Sequence, residues 1–202
     1  REQRIREAVD IKHAFEPEVY TEYYSNKLVE NPVPEEIALD CTKFAPRFAY
    51  VVPKILNHLN KSFKVVKDRV ADLGCADGYL CLTLAKKGIE CFGYNLHKPS
   101  VDLAQKRADN NGLNAFFYHK DLFEVDDKFC AVVMMEVLEH LPDPQKGVDH
   151  AMGLLSDGGH AFFSTPRNDH IGVQQHKDEV GHKRWDEDLS PAGHLRLFTE
   201  EE

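Results

Sequence analysis

With 202 residues, 42% of them hydrophobic and 29% charged, the chain can bury one sizeable core with a small appendage, so a single domain is the default. A formal net charge of -9 and a pI near 5.7 argue against a broad electrostatic footprint for nucleic acid or an anionic membrane. No apolar run approaches the length of a membrane span, the opening "REQRIREAVDIKHAFEP" lacks the apolar centre of a secretory signal, and the five cysteines form no CxxC pair. A cytoplasmic protein with buried, reduced thiols is expected.

Taken in chain order, residues 1–66 read as a polar, helical N-terminal cover interrupted by prolines, in which the aromatic "YTEYY" packs a helix onto the remainder. The basic "NKSFKVVKDR" that follows is a solvated linker. From Arg69 the pattern changes to short apolar runs alternating with amphipathic ones. It predicts strands at 69–73, 89–95, 114–118, 129–135 and 159–164, with helices at 78–87, 99–111 and 144–155 between them. Strands alternating with helices of about three turns imply crossover connections. The expected fold class is therefore α/β: a doubly wound, mostly parallel, Rossmann-like sheet with helices on both faces and a ligand site at the carboxyl ends of its strands. The segment from Pro166 to Pro191 lacks apolar periodicity and is too long for an inert loop; its Trp185 reads as a packing anchor. The sequence stops at Glu202 as a helix opens with Thr199 as N-cap, an ending that suits a fragment of a longer chain.

The stretch "VADLGCADGYLCLTLAKKG" places a strand, a turn containing Gly74 and Gly78, and a helix in immediate succession. Glycines let backbone amides approach a ligand, and the opening helix presents unpaired N–H groups there. The run Gly74-Cys75-Ala76-Asp77-Gly78 lacks the third glycine of a nicotinamide fingerprint and the lysine of a nucleotide triphosphate loop. Asp72 and Asp77, flanking the turn, would repel a pyrophosphate and suit a cationic ligand with an amino group, which points toward S-adenosylmethionine.

On "DLGCADG" the sequence resembles the class I S-adenosylmethionine-dependent methyltransferases, over residues 67–202, with 1–66 as an N-terminal extension or lid. The resemblance implies that Gly74, Cys75, Ala76, Asp77 and Gly78 shape the cofactor pocket and that Asp72 lies near the methionine amino end. It puts a ribose-binding acidic residue at the end of the second strand, "ECFGYN", where this chain has Asn95, followed by Leu96. An amide can accept from one hydroxyl and donate to the other. The resemblance further implies that Asp121 and Leu122 border the adenine, and Met135 at the end of the fourth strand is a further cofactor-binding candidate.

Directly after that strand comes "EVLEHL". The i, i+3, i+4 spacing of Glu136, Glu139 and His140 would project all three to one side of a helical turn. Two carboxylates and an imidazole suit a divalent ion such as Mg or Mn, with Co and Zn also compatible. A fourth ligand would come from His170, His176, His182 or His194, and His194 in "GHLRLFTEEE" is the preferred one. A metal there would lower the pKa of a substrate hydroxyl. Without metal, the glutamate caps backbone amides and His140 becomes the candidate general base, with Glu136 beside it.

The runs "MMEVLEHLPDPQ" and "GGHAFFSTPRN" resemble the O-methyltransferases of ubiquinone biosynthesis, and the E-x-x-E-H element with a later histidine resembles the small-RNA 2'-O-methyltransferases. Both resemblances imply a divalent metal at this element. The expected activity is methylation of an oxygen on a small hydroxylated molecule. RNA 2'-O-methylation is disfavoured by the acidic charge, and two alternatives stay open: a binding module that has lost catalysis, and a nicotinamide-dependent dehydrogenase that the glycine spacing disfavours.

Overall fold

A computed structural model describes residues 35–43, 46–61 and 69–165. Its five strands are β1 (Arg69–Leu73), β2 (Glu90–Asn95), β3 (Ala115–His119), β4 (Phe129–Met135) and β5 (Leu155–Ser164). The helices are α1 (Glu35–Ala38), α2 (Pro46–Lys61), α3 (Tyr79–Ala85), α4 (Lys98–Asn110) and α5 (Pro144–Gly153). The aromatic "YTEYY", the segment from Pro166 to Pro191 and the Thr199 cap lie outside the described residues. All strand pairs are parallel and the spatial order is β3-β2-β1-β4-β5. The chain winds outward from β1 to β3 and then returns to the other side of β1 to begin β4. In doubly wound sheets ligands bind at such a reversal, which here falls at the carboxyl ends of β1 and β4.

Alternation along the strands sends side chains to two apolar layers. Val70, Cys91, Ala131 and Val133 face one layer, where α2, α3 and α4 contribute Ile55, Leu59, Leu80, Leu84, Val101 and Ala104. Ala71, Leu73, Tyr94, Val132 and Met134 face the other, which α5 covers with Ala151. Both faces of the central strands are buried, which is why they read as unbroken apolar runs. The outer edge of β3 is closed by a side chain of α4. The Phe117 amide donates to Gln105 Oε1 (2.9 Å), and Gln105 Nε2 donates to the Ala115 carbonyl (3.4 Å). Gln105 thus occupies backbone groups that would otherwise template another strand.

Strands β1 and β4 have the bounds expected from sequence, but β5 begins at Leu155 instead of 159. Its first residue pairs with Phe129 across a register shift before regular pairing resumes at His160, so glycines 158 and 159 lie inside the strand's irregular part. The expected interruption of the N-terminal region by prolines is also corrected. Pro46 opens α2 and Pro53 lies inside it without ending it. Pro53 is on the exposed side, and the opposite stripe of Phe48, Val51, Val52, Ile55 and Leu59 is buried, so packing outweighs the lost backbone bond. This stripe belongs to the same apolar layer as α3 and the sheet, and the buried Cys41 amide is tied to Thr83 Oγ1 (2.9 Å). All five cysteines are free thiols and only Cys130 is not fully buried. No helix among the described residues is long and apolar enough to cross a membrane.

Truncating Ile55, which is fully buried in this layer, should lower unfolding free energy by about 2–5 kcal/mol in the Ile55→Ala variant, measured as a fall in urea midpoint. An effect below about 0.5 kcal/mol would mean that α2 is not part of the cooperative core.

Candidate active site

The glycine turn is held in shape by its backbone. Gly74, Ala76 and Gly78 all have positive φ (84°, 46° and 81°), and the Gly74 and Cys75 amides both donate to the Tyr94 carbonyl at the end of β2 (2.9 and 3.1 Å). A Cβ on Gly74 would overlap a methyl of Val137, which follows β4. A Cβ on Gly78 would come within 2.6 Å of the Phe117 ring and 2.8 Å of Ala104. These two glycines therefore serve packing between loops as well as an unusual backbone path. Among the described residues no side chain caps the first turn of α3, which starts immediately after Gly78.

The carboxylates around this turn differ in environment. Asp72, at 4% exposure, points from β1 into the layer of α3, and the Cys81 thiol donates to its Oδ2 over a long 3.9 Å. Burial pushes its carboxyl up to about 7, the thiol contact opposing that only in part. Asp77 is also buried but well satisfied: Tyr79 donates to Oδ2 (2.7 Å) and Ser100 to Oδ1 (3.0 Å). Ser100 in turn meets His97 Nδ1 (2.7 Å), and the His97 ring caps α4. Asp77, expected as a pocket residue, thus ties the glycine turn to the start of α4. Tyr79, His97 and Ser100 are hydrogen-bonded neighbours of the turn that the motif alone does not single out. The signal available is "HKPS", a capping residue followed by proline and a hydroxyl three positions on.

The remaining cofactor candidates sit along the same carboxyl edge. Asn95 is buried at the end of β2, and its Oδ1 accepts from the His97 amide (3.4 Å). Leu96 beside it is 41% exposed, and its carbonyl accepts from His119 Nε2 (2.9 Å), joining the ends of β2 and β3. Asp121 caps the 3-10 turn Leu122–Glu124 through Phe123 N (2.9 Å), leaving Leu122 half-buried. Met135, also half-buried, ends β4 opposite Ser164.

The geometry expected for "EVLEHL" is corrected. The helical turn is a 3-10 turn confined to Leu138–His140, and Glu136 precedes it in a left-handed conformation (φ 58°). The i, i+3, i+4 spacing therefore does not place three side chains on one helical face. Glu136 Oε1 accepts from Ser164 Oγ (2.7 Å), and its amide donates to the Ser164 carbonyl (3.0 Å). Glu139 is fully buried; its Oε2 accepts from Thr165 Oγ1 (3.3 Å), and its Oε1 lies 4.0 Å from His140 Nε2. Among the described residues no three His, Cys, Asp or Glu side chains gather to hold a metal ion. Glu136, Glu139 and His140, the described members of the set expected for Mg or Mn, are not gathered as a metal-holding group. His194, like His170, His176, His182 and Trp185, lies outside the described residues. Burial pushes Glu139 up to about 7, with the charge of Glu136 adding to the effect and Thr165 and Arg47 opposing it.

Fold and turn together define a doubly wound α/β protein in which the glycine turn abuts the "EVLEHL" segment. The sequence matches the family described as methyltransferase domain over residues 42–202. It is 32% identical over 116 residues to the ubiquinone biosynthesis O-methyltransferase of Coxiella burnetii (strain Dugway 5J108-111), covering 56% of this chain and 50% of that protein. To the enzyme of the same name from Chromobacterium violaceum it is 33% identical over 117 residues, covering 56% and 50%. The chain spans about half the length of the curated relatives it matches. Among solved structures, magnesium protoporphyrin IX methyltransferase from Synechocystis PCC 6803 with bound S-adenosylhomocysteine superposes with a TM-score of 0.57 at 21% identity, over 77% of this chain and 68% of that one. An S-adenosylmethionine-dependent methyltransferase from Clostridium acetobutylicum gives 0.51 at 18% identity, over 72% and 56%. The chain belongs to the class I S-adenosylmethionine-dependent methyltransferases.

Two outcomes follow from this geometry. Gly74→Ala should cost about 1–3 kcal/mol through its positive φ and the overlap with Val137, and Val137→Ala should recover part of that cost in the double variant, read by denaturant unfolding. Glu139, with a carboxyl near 7 when folded and near 4.5 when not, binds more protons folded than unfolded between those values. Its contribution is therefore fully present below pH 4.5 and is lost as pH rises through about 7, and Glu139→Gln should flatten that part of a stability–pH curve.

Proposed function

We propose that this chain binds S-adenosylmethionine at the carboxyl edge of β1, β2 and β3 and methylates an oxygen of a small hydroxylated molecule. The observation that carries this reading is the seating of Val137 over Gly74, which sets a cofactor-type glycine turn against the "EVLEHL" segment. The residues present suit such a cofactor. The positive-φ backbone of Gly74, Ala76 and Gly78 would hold its amino-acid end, with Asp72 buried beneath as a negative group. Asn95 would meet the ribose, and exposed Leu96 with half-buried Leu122 would offer apolar surface to the adenine, Asp121 lying at its rim. When bound, S-adenosylmethionine supplies a methyl group activated by a sulfonium.

What the protein adds is positioning and removal of a proton. We assign the proton transfer to His140, whose side chain is 20% exposed just after the end of β4. The buried Glu139, 4.0 Å from Nε2, would stabilise by its charge the imidazolium that forms. Glu136 is positioned through Ser164 and would shape the rim of the substrate site. Oxygen as the acceptor atom is supported by the names of the curated relatives, and a small acceptor agrees with the acidic charge.

The test is calorimetric titration with S-adenosylhomocysteine, followed by methyl transfer from S-adenosylmethionine to a panel of phenols and sugars. Binding and turnover are expected, with His140→Ala lowering kcat by about 10²- to 10⁴-fold while cofactor affinity is unchanged. Absence of cofactor binding would overturn the assignment, and turnover indifferent to His140→Ala would remove the proposed base.

A further inference from the structure

Among the described residues, Asp72 is a buried carboxylate with no cation beside it. By register it lies between Gly93 of β2 and Val133 of β4, neither of which offers a side-chain donor. The Cys81 thiol of α3 reaches its Oδ2, and the Asp72 charge also raises the thiols of Cys75 in the glycine turn and Cys41 in the 3-10 turn before α2. Cys91 of β2 abuts Cys81 behind them. Burial holds the thiols of Cys41, Cys75 and Cys81 protonated, so none brings charge of either sign. The nearby carboxylate of Asp77 already takes hydroxyl bonds from Tyr79 and Ser100. A buried carboxylate with one weak thiol donor is not stable as an anion unless a positive charge arrives; otherwise it keeps its proton.

We propose that a cationic ligand entering the glycine turn displaces a proton from Asp72, so that ligand binding and proton release are one coupled event tuned by the Cys81 thiol. This rests on the reading of the turn as the S-adenosylmethionine site. The Asp72 O–H bond breaks, the proton passes to buffer, and the ligand's positive charge replaces it beside the carboxylate. With the free carboxyl near 7, the coupling operates over the neutral and mildly acidic range. Cys81 acts as a positioning residue, since a donor to the ionised oxygen favours that form.

The experiment is calorimetric titration of the chain with S-adenosylmethionine from about pH 5.5 to 8.5, in pairs of buffers with different ionisation enthalpies. About one proton should be released per ligand near pH 6 and almost none above about pH 8, with affinity falling up to about tenfold per pH unit on the acid side. Asp72→Asn should abolish the release, Glu139→Gln should leave it, and Cys81→Ser, a stronger donor, should move its midpoint to lower pH. Should Asp72→Asn fail to fold, infrared difference spectra of the unaltered protein at about pH 6 read the same event as loss of a protonated-carboxyl band on ligand addition. Binding without buffer-dependent heat or band loss, or release that disappears in Glu139→Gln instead, would overturn the coupling. Failure to bind S-adenosylmethionine at any pH would overturn the cofactor reading beneath it.

Discussion

The seating of Val137 in the space left open by Gly74 is the contact on which the rest of the site depends. Gly74 follows β1 and Val137 follows β4, the two strands between which the winding of the sheet reverses. A side chain on Gly74 would push the two loops apart. Because Val137 is fixed there, Glu136 on one side and the 3-10 turn carrying Glu139 and His140 on the other are fixed as well. A single missing Cβ thus couples the geometry of the binding turn to that of the segment carrying the proposed base.

Around this junction the protein places polar groups in two different states. The Asp77 network, through Tyr79, Ser100 and His97, is satisfied by short bonds and locks the turn to the start of α4. Asp72 and Glu139 are buried carboxylates, the first met by a long thiol contact and the second by a 3.3 Å hydroxyl bond among its partners. Well-satisfied groups add rigidity, whereas carboxyls that burial raises to about 7 change charge near neutral pH.

Much of the fold is legible in the sequence because apolar periodicity reports burial directly. The runs "RVADL" and "FCAVVMM" are buried on both faces in the structure and read as parallel strands. Sequence is less able to place α2, since its two prolines look like breaks. Their harmlessness depends on which side of the helix faces the sheet, a fact of packing rather than of composition. The start of β5 is hidden for a related reason, as its first residues pair across an irregular register that has no periodic signature.

The sequence by itself determined the order of strands and helices, the glycine turn and the positions of its carboxylates, because those follow from local periodicity and from residue types that few other contexts tolerate. It could not determine what the carboxylates do. Glu136, Glu139 and His140 have helical spacing, yet the chain after β4 takes a left-handed step at Glu136 and only a short 3-10 turn thereafter. The pairing of Glu136 with Ser164 and of Glu139 with Thr165 joins residues more than twenty positions apart, brought together by the β4–β5 register. Contacts of that range, and the burial that sets the charge of Asp72 and Glu139, exist only once the sheet has assembled and its helices have excluded water from both faces.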